Sequence, residues 1–173
     1  MDDSKKFWQL PRNLQQPTFT TRDNYLKFCA SAIEEYLSSG IAAPDTPTFN
    51  SHLSKINSSG TNVIKTPWGG VDVEKHEHPL VEKYLVVQGG RFLAYEKHEQ
   101  KLETLTVKEG HGVLVYRPVD SNVLEADFIT PGYSRTLNPG QEHTIVALSN
   151  LLVFESSLDH KGMDKDLIFI FEP

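Results

Sequence analysis

Along the first third of the chain one stretch has a clear helical period. Tyr25, Phe28, Cys29, Ala32, Ile33, Tyr36 and Leu37 recur at steps of three and four residues, and Gly40 follows as a stop signal. The spacing predicts one amphipathic helix, with Thr21 as its N-cap and Asp23 placed favourably against the helix dipole. The twenty residues before it mix Pro11, Asn13 and Pro17 without periodicity and read as an extended arm anchored by Phe7, Trp8 and Phe19. Residues 41–61 are rich in Pro, Ser, Thr and Asn and read as a linker or meandering loop. After Thr61 the helical signal gives way to short β-like segments, at 62–65, 71–78, 83–88, 91–96, 103–107, 112–117, 133–137, 143–147, 151–156 and 167–171. Gly, Pro and charged turns separate them, and 97–101 reads as a polar hairpin tip. Many short strands at even spacing predict an antiparallel barrel or sandwich over 62–173, preceded by an arm, helix and linker over 1–61.

Composition narrows the setting. With 173 residues the chain suits one domain able to bury its own core. The single cysteine, Cys29, cannot form an internal bridge, and the opening MDDSKKFWQL has no apolar run. A reducing, cytoplasmic setting is the expectation. No stretch is apolar enough to span a bilayer, so no membrane association is expected. The net charge of −6, with both signs interspersed, argues against a nucleic-acid partner.

Strand alternation then points to chemistry. His76 and His78 share a face, as do Asp72 and Glu74, and after Pro79 a hairpin return brings Glu82 back towards them. His143, after the turn Asn138–Pro139–Gly140, can supply a fourth ligand from a strand that a closed barrel brings alongside. Imidazoles with one carboxylate suit one divalent metal ion, Zn, Fe, Mn, Ni or Co, with open positions left for substrate. His52, His98, His111 and His160 fall in predicted turns and read as exposed.

These residues carry a resemblance. Gly70, five residues, His76-x-His78, three residues, Glu82, six residues and Gly89 resemble the first motif of the cupin superfamily. Gly132, Asn138-x-Gly140, His143 and Ala147 resemble the second, with Asn138 standing for its proline and Ala147 for its asparagine. The resemblance covers roughly 62–173 and implies an all-β, double-stranded β-helix (jelly-roll) barrel behind the N-terminal helix and arm. Shorter segments, Thr66-Pro67-Trp68-Gly69-Gly70, Lys83-Tyr84-Leu85-Val86-Val87 and the tail from Pro139 to Asp166, resemble sugar-phosphate isomerase cupins of the mannose-6-phosphate isomerase type. In such enzymes a metal polarises a carbonyl while a base moves a proton. On the metal-facing parity Glu74 and Tyr84 are then the catalytic candidates, and Arg135, which shares the parity of His143, is a candidate for binding a substrate phosphate or carboxylate.

Three functions follow as alternatives: a metal-dependent isomerase acting on a small sugar or sugar phosphate, a non-haem iron dioxygenase, or a module that binds a small polar ligand without turnover. The same parity turns Val71, Val73, Leu85 and Val87 outward, onto a wall that the N-terminal helix is expected to cover. A partner subunit in a homodimer is the alternative cover.

Overall fold

The computed structural model describes residues 8–173, so the expectation for Phe7 lies outside them. Two helices, α1 (Arg22–Ser38) and α2 (Pro47–Asn57), precede the strands β1 (Val63–Thr66), β2 (Gly69–Glu77), β3 (Leu80–Val87), β4 (Tyr95–His98), β5 (Leu102–Glu109) and β6 (Gly112–Tyr116). There follow β7 (Glu125–Ile129), β8 (Ser134–Leu137), β9 (His143–Ala147), β10 (Leu151–Leu158) and β11 (Leu167–Phe171). They form a six-stranded sheet in the order β1-β2-β3-β10-β5-β8 and a five-stranded sheet in the order β11-β4-β9-β6-β7. The pairings are antiparallel, and the two sheets face each other as the jelly roll that the strand spacing predicted. The strand β7 was not foreseen. No helix among the described residues is long and apolar enough to cross a membrane.

Between the sheets, Val71, Leu85, Val87, Leu105, Val107 and Val153 from one side meet Leu114, Ile145 and Ala147 from the other. This inverts the expected parity of β2 and β3. Val71, Leu85 and Val87 are core, whereas Asp72, Glu82 and Tyr84 alternate to the outside. Beyond Val73 the register slips: Val73 pairs with Lys83 and Lys75 with Glu82, leaving Glu74 as the extra residue of a β-bulge. The apolar set of each strand is the one that gains by leaving water, and α2 makes the opposite choice tolerable for Asp72. Its buried carboxylate accepts from His52 Nδ1 and Lys55 Nζ, each at 2.7 Å.

The helix α2 replaces the loop expected in 41–61. Its proline, Pro47, occupies the first turn, where no backbone N–H is needed, so a residue that suggested irregular chain in fact starts a helix. Phe49 and Ile56 are fully buried against Val86 and Leu152 on the outer face of the six-stranded sheet. The first helix behaves as the periodicity predicted, with Thr21 Oγ1 accepting from Asn24 N at 3.1 Å. It covers a barrel wall, but that of the five-stranded sheet, where Tyr25, Phe28, Cys29, Ala32 and Tyr36 pack with Val113, Val115, Ala126 and Val146. The arm is pinned to the same layer by Trp8, edge-on to Tyr36 and Phe128, and by Phe19, edge-on to Tyr25, Phe28 and Tyr95.

Replacing Phe49 with Ala tests whether α2 belongs to the fold or merely links two parts of it. Removing a fully buried aromatic ring is expected to cost about 3–5 kcal/mol of unfolding free energy in chemical denaturation. A loss below about 1 kcal/mol would mean that α2 is only loosely attached.

Candidate metal centre

At one end of the barrel the interior turns polar. Glu96 and His98 lie two residues apart on β4 and so share a face, Glu96 pairs in register with His143 of β9, and Glu103 enters from β5. The ligand atoms of Glu96, His98 and His143 lie within 4.8 Å of one another. Glu103 completes the group, with Oε1 at 2.9 Å from His143 Nε2 and 4.0 Å from His98 Nε2. His98, Glu103 and His143 are buried, and Glu96 nearly so.

The outer nitrogens of both rings are already committed. His98 Nδ1 lies 3.1 Å from Asp166 Oδ1, and Asp166 is itself held by the backbone N–H groups of Gln100 and Lys101. His143 Nδ1 lies 3.0 Å from the carbonyl of Gln141. Each outer nitrogen is therefore held as a donor, and each Nε2 faces inward, towards the carboxylates of Glu96 and Glu103, where it offers a lone pair whenever its ring is neutral. Two imidazoles and two carboxylates converge. Glu103 Oε1 is buried, and His143 Nε2 at 2.9 Å is its nearest partner. Acceptors so placed repel one another unless a proton or a cation stands among them.

The surrounding charge has the same sense. Lys101 Nζ contacts Asp164, Glu155 and Glu103 at 2.6, 3.1 and 3.2 Å, and Lys83 Nζ contacts Asp164 and Glu155 at 2.7 and 3.5 Å. With all four carboxyls ionised and both imidazoles neutral, the state that metal binding requires, Glu96, Glu103, Glu155 and Asp164 face only two ammonium groups, an excess of two negative charges that a divalent ion would neutralise. Burial pushes the carboxyls of Glu96 and Glu155 up to about 7. Burial also opposes charge on His143, but the Glu103 and Glu96 carboxylates outweigh it and raise the ring to about 9. His98 moves the other way, through burial and the nearby Lys101, and stays neutral as a ligand must. Two imidazoles and two carboxylates fit a divalent first-row ion.

No protein-family model matches the chain, and no curated protein matches its sequence. Solved structures do match. The capsular polysaccharide assembling protein CapF from Staphylococcus aureus aligns with a TM-score of 0.55 and 16% identity over 63% of this chain and 32% of its own. KdgF from Halomonas sp. aligns with a TM-score of 0.50 and 18% identity over 59% of this chain and 88% of its own. Oxalate decarboxylase from Bacillus subtilis aligns with a TM-score of 0.56 and 14% identity over 65% and 30%. The chain therefore spans about a third of the CapF and oxalate decarboxylase chains. All three are cupin barrels.

This barrel has the cupin fold.

Within the cupin, the residues predicted as a site separate. Only His143 joins the convergent group; His76, His78 and Glu82 belong to neither of the two potential metal-ligand clusters among the described residues. His76 and His78 are exposed near the end of β2, where His78 Nε2 lies 2.9 Å from the carbonyl of His160, and Glu82 faces outward from β3. The inverted parity is the reason. Glu74 is exposed at the bulge and forms the second cluster with His52 and Asp72, whose carboxylate is already paired with His52 and Lys55. Tyr84 packs outside the barrel between His52 and Phe154. Arg135 bonds Tyr133 Oη at 2.8 Å and Asp127 at 3.4 Å, with its guanidinium over the Tyr116 ring, so it joins β7 to β8.

The candidate ligands not singled out in the sequence repeat the pattern sought, twenty residues further on. Gly90, five residues, Glu96-x-His98, four residues, Glu103, six residues and Gly110 keep the motif spacing with a glutamate in the place of its first histidine and one added residue. Gly110 has φ +89°, and a Cβ there would lie 1.8 Å from the Asn150 carbonyl, so this glycine is required by the fold. His98 was read as exposed because 97–101 is polar throughout; it is in fact 4% exposed and Lys101 2%.

Three outcomes are expected. His98→Ala and His143→Ala lose stoichiometric metal by elemental analysis, whereas His76→Ala and His78→Ala retain it; the opposite pattern would restore the outer site. Asp166→Asn, which removes the carboxylate behind His98, weakens metal affinity about ten- to hundredfold in competition with a chelator. Without metal, His143 is protonated at pH 7 and Glu96 about half so, and binding must displace those protons. Titration calorimetry in buffers of differing ionisation enthalpy should record between one and two protons released at pH 7, and affinity should rise with pH up to about 9. A pH-independent affinity would rule out these ligands.

Proposed function

We propose that this chain is a metal-dependent cupin enzyme in which Glu96, His98, Glu103 and His143 hold one divalent ion at the inner end of a substrate cavity. The observation that carries the reading is the convergence of two imidazoles and two carboxylates, with the ligand atoms of Glu96, His98 and His143 within 4.8 Å of one another and Glu103 Oε1 at 2.9 Å from His143 Nε2 and 4.0 Å from His98 Nε2. The carboxylate share of the set favours Mn(II) or Fe(II) over softer ions, and one of the oxalate decarboxylase structures is described by its Mn(II) centres. When bound, such an ion supplies Lewis-acid polarisation of a substrate oxygen.

The chain's own groups supply the rest. A cavity of about 700 Å³ is lined by Glu96 and His98 and also by Lys83, Lys101, Glu155 and Asp164. Lys101 and Lys83 hold Glu155 in place, and its carboxyl, raised to about 7, is suited to take up and return a proton near neutral pH. Glu155 thereby assumes the acid–base role that the sequence reading gave to Glu74. Neither ammonium is free for a phosphate, because both are engaged with carboxylates. This supports a metal-polarised proton transfer on a substrate other than a sugar phosphate.

An enzyme needs an open metal position, and a structural ion does not. In Mn(II)-loaded protein, water-proton relaxation should be enhanced by at least one exchanging water on the metal. A bound ion without exchanging water would return the chain to the class of binding or structural cupins. Glu155→Gln should retain the metal and lower turnover about a hundredfold on any substrate found by screening; undiminished turnover would remove Glu155 from the mechanism.

A further inference from the structure

The walls of the same cavity indicate what enters it. Beyond the polar end, where Lys83, Lys101, Glu155 and Asp164 join Glu96 and His98, the lining is mainly apolar, with Trp68, Val71, Leu85, Leu93 and Phe169, and Thr66, Arg91 and Glu172 are its polar members. The cavity runs along the seam between the β1–β2 hairpin and β4–β11, and reaches Arg91, five residues before Glu96 on the same chain segment. At the rise of an extended chain that is about 16 Å. Two of its lining residues, Ile64 and Phe169, are 46% and 56% exposed, which leaves apolar surface facing solvent at the cavity wall.

We infer that the substrate is amphipathic, a compound with an oxygen-bearing head at Glu96 and His98 and a hydrocarbon body along Trp68, Leu85, Leu93 and Phe169. A sugar would place most of its hydroxyl groups against these side chains, which cannot bond them, with only Thr66, Arg91 and Glu172 to serve the rest. A hydrocarbon body loses nothing there and gains about 0.8 kcal/mol for each CH₂ removed from water, which corresponds to about fourfold in affinity. The position of the head rests on the proposed metal centre, but the apolar wall does not.

The test is a chain-length series, acetate, butanoate, hexanoate and octanoate, with glucose 6-phosphate as the polar rival. The chain has two tryptophans, Trp8 and Trp68, and only Trp68 lines the cavity. In a Trp8→Phe variant whose circular dichroism and elemental metal content match the wild type, Trp68 fluorescence therefore reports occupancy. Affinity should rise severalfold with each added CH₂, towards the fourfold limit, and octanoate should bind more tightly than glucose 6-phosphate. Phe169→Ala, at an exposed edge position, should weaken octanoate about tenfold and leave acetate unchanged. A flat series, or tighter binding of glucose 6-phosphate, would overturn the amphipathic assignment and leave the metal centre standing. A rising series in protein that holds no metal would uphold the apolar wall and overturn the metal centre.

Discussion

Two buried lysines cannot balance the carboxylates gathered at one end of this barrel, and the surrounding architecture answers to that imbalance. Glu96, Glu103, Glu155 and Asp164 come from four separate segments of chain, and Lys83 and Lys101 are threaded among them. Such a cluster would be expensive if left to itself, because buried like charges have neither water nor partners to screen them. Protonation relieves it in part, which is why Glu96 and Glu155 sit near neutrality and His143 is raised. A divalent cation would relieve it more completely, since it would offset the charge of Glu96 and Glu103 while both imidazoles stay neutral.

Much of the fold was legible in the sequence. The period of α1, its Thr21 cap and most strands follow from local patterns, because each element shows its buried face in its own residues. Parity on β2 and β3 was harder. Reading the charged set as the inner one required histidines to define the interior, yet the barrel takes Val71, Leu85 and Val87 inside and leaves His76 and His78 in water. The bulge at Glu74 then breaks the alternation on which any such inference depends. The information about which face is buried lies in α2, which neutralises Asp72 from outside, and α2 was itself hidden by its proline.

The site was half legible for a related reason. His143 was singled out from its turn and lies in the convergent group, but its neighbours there sit in a segment whose composition is that of a surface hairpin. The sequence Glu96-Lys97-His98-Glu99-Gln100-Lys101 becomes interior only because Asp164 and Asp166 fold back over it, more than sixty residues later. A long-range contact of that kind leaves no periodic trace. The motif spacing did leave one, and a tolerance for glutamate in place of histidine brings it out.

That return of the chain has a consequence for the order in which the protein is made. Glu96, His98, Glu103 and His143 emerge from the ribosome before Asp164 and Asp166, so a nascent chain displays these side chains while the groups that orient His98 and restrain Lys101 are still unmade. The outer layer of the site is therefore completed only when the segment from Asp164 into β11 returns to β4. That segment acts as the keystone, set after the arch is standing and bearing on the stones nearest the centre.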